Sequence, residues 1–277
     1  MIKISVIVTT YNRPAALALV LQALAAQVGS KCQTDEFEVI IADDGSTPST
    51  AELFTQLQAY LPYQIQHIWQ DDQGFRAARA RNRAVAVARG HYLIFLDGDC
   101  IPQTDFIARH YQLAERGWFV AGNRILLSQK FTAQVLRGQP QGVAPTFVGL
   151  QPFDIWTWHT IQWLFLYFRR DINRLLPLLR LPDSALRKRF QQKWQGAKTC
   201  NFALWREDIL RVNGFDEQFK GWGHEDAELV VRLLHNGVRR KEGRFAVPVF
   251  HLWHPEQDRC QEERNRQRLE QSLRFQS

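Results

Sequence analysis

The sequence predicts an α/β fold, a mostly parallel sheet flanked by helices. Three observations lead there. Over the first 125 residues, short β-branched runs alternate with Ala/Leu-rich helical stretches. Four of the apolar runs end in polar clusters, the pattern of a ligand crevice at the carboxyl ends of parallel strands. The length of 277 residues fits a single domain with an insertion or two fused lobes sharing a sheet, and 45% hydrophobic with 23% charged residues excludes wholesale disorder.

Taken in order, Ile2–Val8 is the first strand and Pro14–Gln27 the helix after it. Phe37–Ala42 is the second strand. The next helix runs from Ser49 to Tyr60, with Pro48 just ahead of it, where a first turn tolerates a missing N–H. Gln64–Trp69 is the third strand, Gly74–Arg89 a helix and His91–Leu96 the fourth strand. Residues 125–198 read differently. Gly, Pro and Gln turns fill 138–152, and an aromatic segment (Trp156, Trp158, Trp163, Phe165, Tyr167, Phe168) runs into a basic one. This stretch is expected to be a variable, basic insertion with two helices. Lys198–Trp205 is then a strand, Glu207–Val212 a short helix, and His224–Asn236 a longer one with Gly237 as its C-cap candidate. Ala246–Phe250 is the last strand, and the polar chain beyond Pro255 is an exposed helix. The implied units are 1–125, 126–197 and 198–277.

Charge is uneven. The chain nets +7, yet residues 151–200 hold nine Lys/Arg against three Asp, a local +6, leaving +1 for the other 227 residues. So local a basic stretch suits either an anionic surface partner or a solvated helical face. Apolar runs are short, seven residues at Ala15–Leu21 and six at Trp163–Phe168, against the roughly 20 a membrane span needs. The opening MIKISVIVTTYN has no cleavage site and reads as a core strand, not a signal peptide. Cys32, Cys100, Cys200 and Cys260 form no C-x-x-C pair, so a reducing, cytoplasmic setting is expected, with no disulfide framework or zinc ribbon.

G-x-G-x-x-G after the first strand, the P-loop, H-E-x-x-H and G-x-S-x-G are all missing. What is present is acidic. Asp97-Gly98-Asp99 follows an apolar strand, and two carboxylates there suit Mg²⁺ or Mn²⁺ with ligand phosphates. Taken alone, the motif also fits a turn in which Asp99 caps a helix. Gly221-Trp222-Gly223-His224-Glu225-Asp226 opens a helix on which Asp226 is in register with Val230 and Leu233. An acid on that buried face, in a first turn, has the makings of a general base, although Glu225 or Asp226 could equally serve as a cap. His251 and His254 lie at the end of the last strand, and imidazole joins carboxylates around Mn²⁺ more readily than around Mg²⁺. Gly74-Phe75-Arg76 with Arg79, Arg81 and Arg83 begins a helix, and helix N-termini and arginines both attract phosphate.

In this order the motifs resemble the inverting nucleotide-sugar glycosyltransferases of the GT-A fold, family 2. The second half is similar to the carboxy-terminal portion of galactosyltransferases and N-acetylgalactosaminyltransferases, including chondroitin-polymerase-like domains. Thr10-Tyr11-Asn12-Arg13, Asp43-Asp44-Gly45-Ser46, Gly74-Phe75-Arg76, Ala80-Arg81-Asn82, Asp97-Gly98-Asp99, the Gly221–Asp226 box and Phe250-His251 carry the resemblance, over about 1–125 and 198–255. It implies a nucleotide site of Thr9, Tyr11, Arg13, Asp44, Arg76, Arg81 and Asp97, with Asp44 on the uracil ring. It implies Mn²⁺ (or Mg²⁺) on Asp99 and His251, with His254 as the alternative to His251. Trp222 and Gly223 would line the sugar and acceptor pocket, Glu225 would hold sugar hydroxyls and Asp226 would be the base.

The expected reaction is transfer of Gal, GalNAc or GlcNAc from a UDP-sugar to a glycan or lipid-linked glycan, with inversion. Residues 155–190 would give peripheral contact with the inner face of a membrane or dock the acceptor; no nucleic acid is expected. A metal-dependent nucleotide-sugar or phosphoester hydrolase and a basic module binding acidic polymer are the rival readings.

Overall fold

The computed structural model describes residues 2–27, 36–137 and 159–274. The turns expected at 138–152, Trp156, Trp158 and Cys32 lie outside them. Four strands and three helices alternate first: β1 (Ile4–Thr10), α1 (Pro14–Ala25), β2 (Phe37–Asp43), α2 (Pro48–Leu57), β3 (Gln64–Trp69), α3 (Ala77–Val87) and β4 (Tyr92–Asp97). Then come β5 (Cys100–Pro102), α4 (Phe106–Leu113), β6 (Trp118–Ala121), β7 (Asn123–Leu126), α5 (Gln129–Arg137) and α6 (His159–Phe168). The chain continues as β8 (Asn201–Trp205), α7 (Arg206–Arg211), α8 (Glu225–His235), β9 (Arg239–Glu242), β10 (Pro248–His251) and α9 (Glu262–Arg274).

Seven strands form one sheet in the order β3-β2-β1-β4-β8-β6-β9. The first four are mutually parallel, and β8 runs antiparallel to β4 and β6. Because strand side chains alternate, each buried strand feeds two cores. Val6, Val8, Val39, Ile41, Ile94 and Leu96 face a core shared with Leu17 and Phe106, while Ile7, Ile40, Leu93 and Phe95 face one shared with Ala84 and Leu233. This double burial is why these runs read as continuous apolar stretches.

A second, three-stranded sheet has the order β5-β10-β7. It corrects the expected last strand: β10 covers Pro248–His251 instead of Ala246–Phe250, and it pairs outside the central sheet. The sequence reading also missed β5, α4, β6, β7 and β9. The strands among these have three or four residues, too few for a period of two to show. Within the 126–197 stretch, Trp163 of α6 stacks on Phe250 of β10 with ring centroids 4.7 Å apart, leaving Phe165 and Phe168 exposed. No helix among the described residues is long and apolar enough to cross a membrane.

Candidate active site

Strand register builds the first wall of the crevice. Thr10 pairs with Asp43, Thr9 with Asp97, and Asp43 with Trp69, so the polar strand ends stand in one row. Asn12 ties two of the following loops together: its backbone N–H donates to Ser46 Oγ (2.9 Å), and its Oδ1 accepts from the Thr47 N–H (2.8 Å). Asp44 is buried and accepts from Gln70 Nε2 (2.7 Å) and the Arg76 N–H (2.8 Å). Burial nevertheless pushes its pKa up to about 6, against the pull of these two donors. Tyr11 is exposed beside it and donates its hydroxyl to Asp72 (2.9 Å). The Arg76 side chain keeps a buried Nε without a hydrogen-bond partner.

The β4 end carries the acidic turn. Gly98 donates its N–H to the Thr9 carbonyl (2.7 Å), and a Cβ there would stand 3.0 Å from that oxygen, so a side chain would push the turn off β1. Asp99 Oδ2 accepts from Arg13 Nη1 (2.6 Å) and lies 3.4 Å from His254 Nε2, while Oδ1 lies 3.6 Å from His251 Nε2. The antiparallel pairing of β10 with β5 explains this, since it sets His251 opposite Cys100. Burial lowers the His251 pKa to about 4, with Asp99 opposing, so the imidazole is neutral at neutral pH and free to ligate. Asp99, Cys100 and His251 offer ligand atoms within 4.8 Å of one another. A carboxylate with neutral imidazole fits Mn²⁺. His254 also faces Asp99, so both histidines named from the sequence remain candidates.

The second wall converges on Arg81, which is 4% exposed. Its Nε donates to Thr9 Oγ1 (3.1 Å), Nη2 to Asp97 (3.3 Å), and Nη1 to Glu225 (3.2 Å) and Asp226 (3.4 Å). Burial alone would favour the neutral guanidine, but Asp226, Asp97 and Glu225 outweigh it and raise the pKa further. Burial raises Asp97 to about 6 despite Arg81, and burial with repulsion from Asp226 raises Glu225 to about 7. Thus Arg81, expected near the nucleotide, stands beneath the crevice as the clamp of three carboxylates.

The expectation for Asp226 needs a correction. Val230 and Leu233 are buried, but the Asp226 side chain is 23% exposed and Glu225 is the buried acid. The residue before the helix is His224, in the left-handed conformation (φ 73°), and its side chain makes no capping hydrogen bond. Thr199, which the sequence reading missed, anchors Asp226 through its hydroxyl to Oδ1 and its N–H to Oδ2 (3.1 Å). Nothing local in the sequence marked it, because Lys198–Trp205 reads as one strand whereas β8 begins at Asn201.

Asn265 was missed too. It is buried on α9 and donates to the carbonyls of Lys220 (3.1 Å), Trp222 (3.4 Å) and Gly221 (3.5 Å), pinning the G-W-G loop. Gly221 and Gly223 have φ of 75° and 106°, and a Cβ on Gly221 would lie 2.7 Å from Gln261 Cβ, so the loop needs glycine. Trp222 stays half-buried, with the Arg259 guanidinium 4.8 Å from its ring centre. A cleft of about 590 Å³ lies between Tyr11 and Phe75 on one side and Trp222, Lys220, Gln261 and Arg264 on the other.

With this geometry in hand, comparisons with known proteins are informative. The sequence model of glycosyl transferase family 2 matches residues 5–176, and that described as the N-terminal domain of galactosyltransferase matches 182–254. Validoxylamine A glucosyltransferase of Streptomyces hygroscopicus subsp. jinggangensis is 30% identical over 245 residues, covering 85% of this chain and 52% of that protein. Chondroitin synthase of Escherichia coli is 25% identical over 255 residues, 88% of this chain and 34% of the synthase. The chain therefore spans about half, or less, of these relatives' length. Among solved structures, GalNAc-T7 with UDP, GalNAc and Mn²⁺ superposes with a TM-score of 0.58 at 16% identity, over 92% of this chain and 45% of that one, a likeness of fold.

Proposed function

The chain belongs to glycosyl transferase family 2, whose model spans residues 5–176, and from that premise we propose an inverting transfer of a sugar from a UDP-sugar to a glycan or lipid-linked glycan hydroxyl. The observation carrying this reading is the meeting of Asp99 and the two histidines with Asp226 around one crevice, joined through Asp97 and Arg81. In this reading Asp44 accepts from the uracil ring, while Tyr11, Thr9, Arg13 and Arg76 border the nucleotide. Asp99 with His251 or His254 would hold Mn²⁺, whose positive charge would favour departure of the diphosphate. Asp226, oriented by Thr199, takes the proton of the acceptor hydroxyl as that oxygen attacks the anomeric carbon from the far face. Arg81 holds the base in place, Glu225 holds sugar hydroxyls, and Trp222 and Gly223 line the cleft for the sugar and acceptor. The division of labour is a nucleotide half at 1–125, an accessory stretch at 126–197 and an acceptor and metal half at 198–277.

Thermal stability with UDP, with and without Mn²⁺, against a chelator and GDP, tests the donor reading. A ligand at about 100 times its Kd adds roughly 2.7 kcal/mol to the folded state. A rise in Tm that needs both UDP and Mn²⁺ is expected; an equal rise with GDP would refute the UDP assignment.

We further propose that the exposed aromatic face of α6, next to Arg169 and Arg170, gives peripheral membrane contact. Because Trp163 packs on Phe250 beside His251, point changes test this better than deletion. Cosedimentation with anionic vesicles should fall in Phe165→Ser and Phe168→Ser; unchanged binding removes the idea.

A further inference from the structure

Two thiols behind the acidic turn take no part in the reaction above. Cys100 is fully buried at the start of β5, Cys200 is 5% exposed just before β8, and both are free thiols. Register brings them together, because β8 runs antiparallel to β4 with Asn201 opposite Leu96, the residue before Asp97. The Cys100 and Cys200 sulfurs and an oxygen of Asp97 lie within 4.8 Å of one another.

We propose that Cys100, Cys200 and Asp97 form a site for a thiophilic divalent cation of the Zn²⁺ class, adjoining the Asp99–histidine pair, whose Asp99 Oδ1 accepts from Cys100 Sγ at 3.5 Å. Thiolate donors select such ions, whereas Mn²⁺ and Mg²⁺ are served by oxygen and imidazole. Tetrahedral zinc with sulfur at about 2.3 Å needs ligand atoms about 3.7 Å apart, a contraction within side-chain adjustment. As the metal–sulfur bonds form, two S–H protons leave to solvent. Two guanidinium groups balance the resulting charge. Arg81 lies on Asp97 at 3.3 Å, and Arg124 is close enough for both thiols and Asp97 to raise its pKa. The Asp97 side chain, 31% exposed, is the way in from the crevice. An ion held there would link the Asp99 turn to the Thr199 anchor of Asp226.

Cadmium titration of the reduced full chain, in excess Mn²⁺, reads the site through sulfur-to-cadmium charge-transfer absorption. One equivalent should develop the band, Zn²⁺ should bleach it, and Cys200→Ser should remove most of it. Cys260→Ser and His251→Ala should leave it. A band that survives Cys200→Ser, or is lost in His251→Ala, would place the ion on the Asp99–Cys100–His251 group and overturn the proposal. So would a folded, reduced protein that shows no band, or one in which the pair closes to a disulfide without binding metal. X-ray absorption of the zinc-loaded wild-type chain gives a reading that depends on no variant: two sulfurs in the shell support the site, one refutes it. None of these readouts needs sugar transfer, so the site and the transferase reading fail separately.

Discussion

The two walls of the crevice are held by different forces. The row of Thr9, Thr10, Asp43 and Asp97 is set by backbone ladders, each strand end fixed by the next. The opposite wall, from Thr199 to Asp226, is set by side chains: Arg81 on three carboxylates, Thr199 on Asp226, Asn82 on the Phe215 backbone and Asn265 on the G-W-G carbonyls. A ladder loses little when one side chain changes, because its bonds belong to the backbone. A clamp made of one side chain is lost whole. The second wall should therefore be much the more fragile to substitution.

Arg81→Met is the strongest way to break that contrast. It keeps the bulk near Phe215 but leaves Asp97, Glu225 and Asp226 facing one another without the guanidinium that joins them. Removing one partner of a buried ion pair costs about 3–5 kcal/mol. Urea unfolding should show that loss, together with loss of transfer. A change below about 1 kcal/mol would mean the carboxylates are protonated in the native state and the clamp is not electrostatic.

Asp226→Asn separates chemistry from binding on the same wall. The amide cannot take a proton, so kcat should fall about 10²–10⁴-fold, the usual worth of a general base. Its Oδ1 still accepts from the Thr199 hydroxyl and Arg81, while the amide nitrogen in place of Oδ2 forfeits the Thr199 N–H bond, so stability should fall by about 1–3 kcal/mol with nucleotide affinity nearly unchanged. Equal losses of kcat and nucleotide affinity would remove Asp226 from the role of base.

The ladder wall was largely legible in the sequence and the clamped wall was not. Ile4–Thr10, Phe37–Asp43 and Tyr92–Asp97 announce themselves as apolar runs, and their polar ends follow automatically. The partners of Arg81 lie 16, 72, 144 and 145 residues away in the chain, and no local pattern encodes such meetings. Asp226 was found from its helical register, but that register gave it the buried place that Glu225 holds in the structure. His251 and His254 could not be separated because both reach Asp99. Asn265 lies on a mostly polar helix whose buried face is marked only by Leu269, four residues on, and nothing local tells a buried amide there from an exposed one.

Glu225→Gln gives the smallest effect and the sharpest test of what the clamped wall costs. Burial first, then repulsion from Asp226, raises the Glu225 pKa to about 7 from its ordinary 4.5, with Arg81 only partly opposing. A carboxyl whose folded pKa lies above its unfolded value destabilises the fold when ionised. That penalty is absent below about pH 4.5, grows through the interval and is complete above about pH 7. Gln keeps an oxygen for the Arg81 bond and cannot ionise. The variant should therefore match the wild type near pH 4 and exceed it at pH 8 by on the order of 1–2 kcal/mol in thermal or urea unfolding, while transferring sugar less well. Such a gain would mark Glu225 as an acid kept at the expense of stability, since packing alone would be better served by the amide. A variant less stable at pH 8 than at pH 4, relative to wild type, would reverse the sign and show that the Arg81 ion pair outweighs burial.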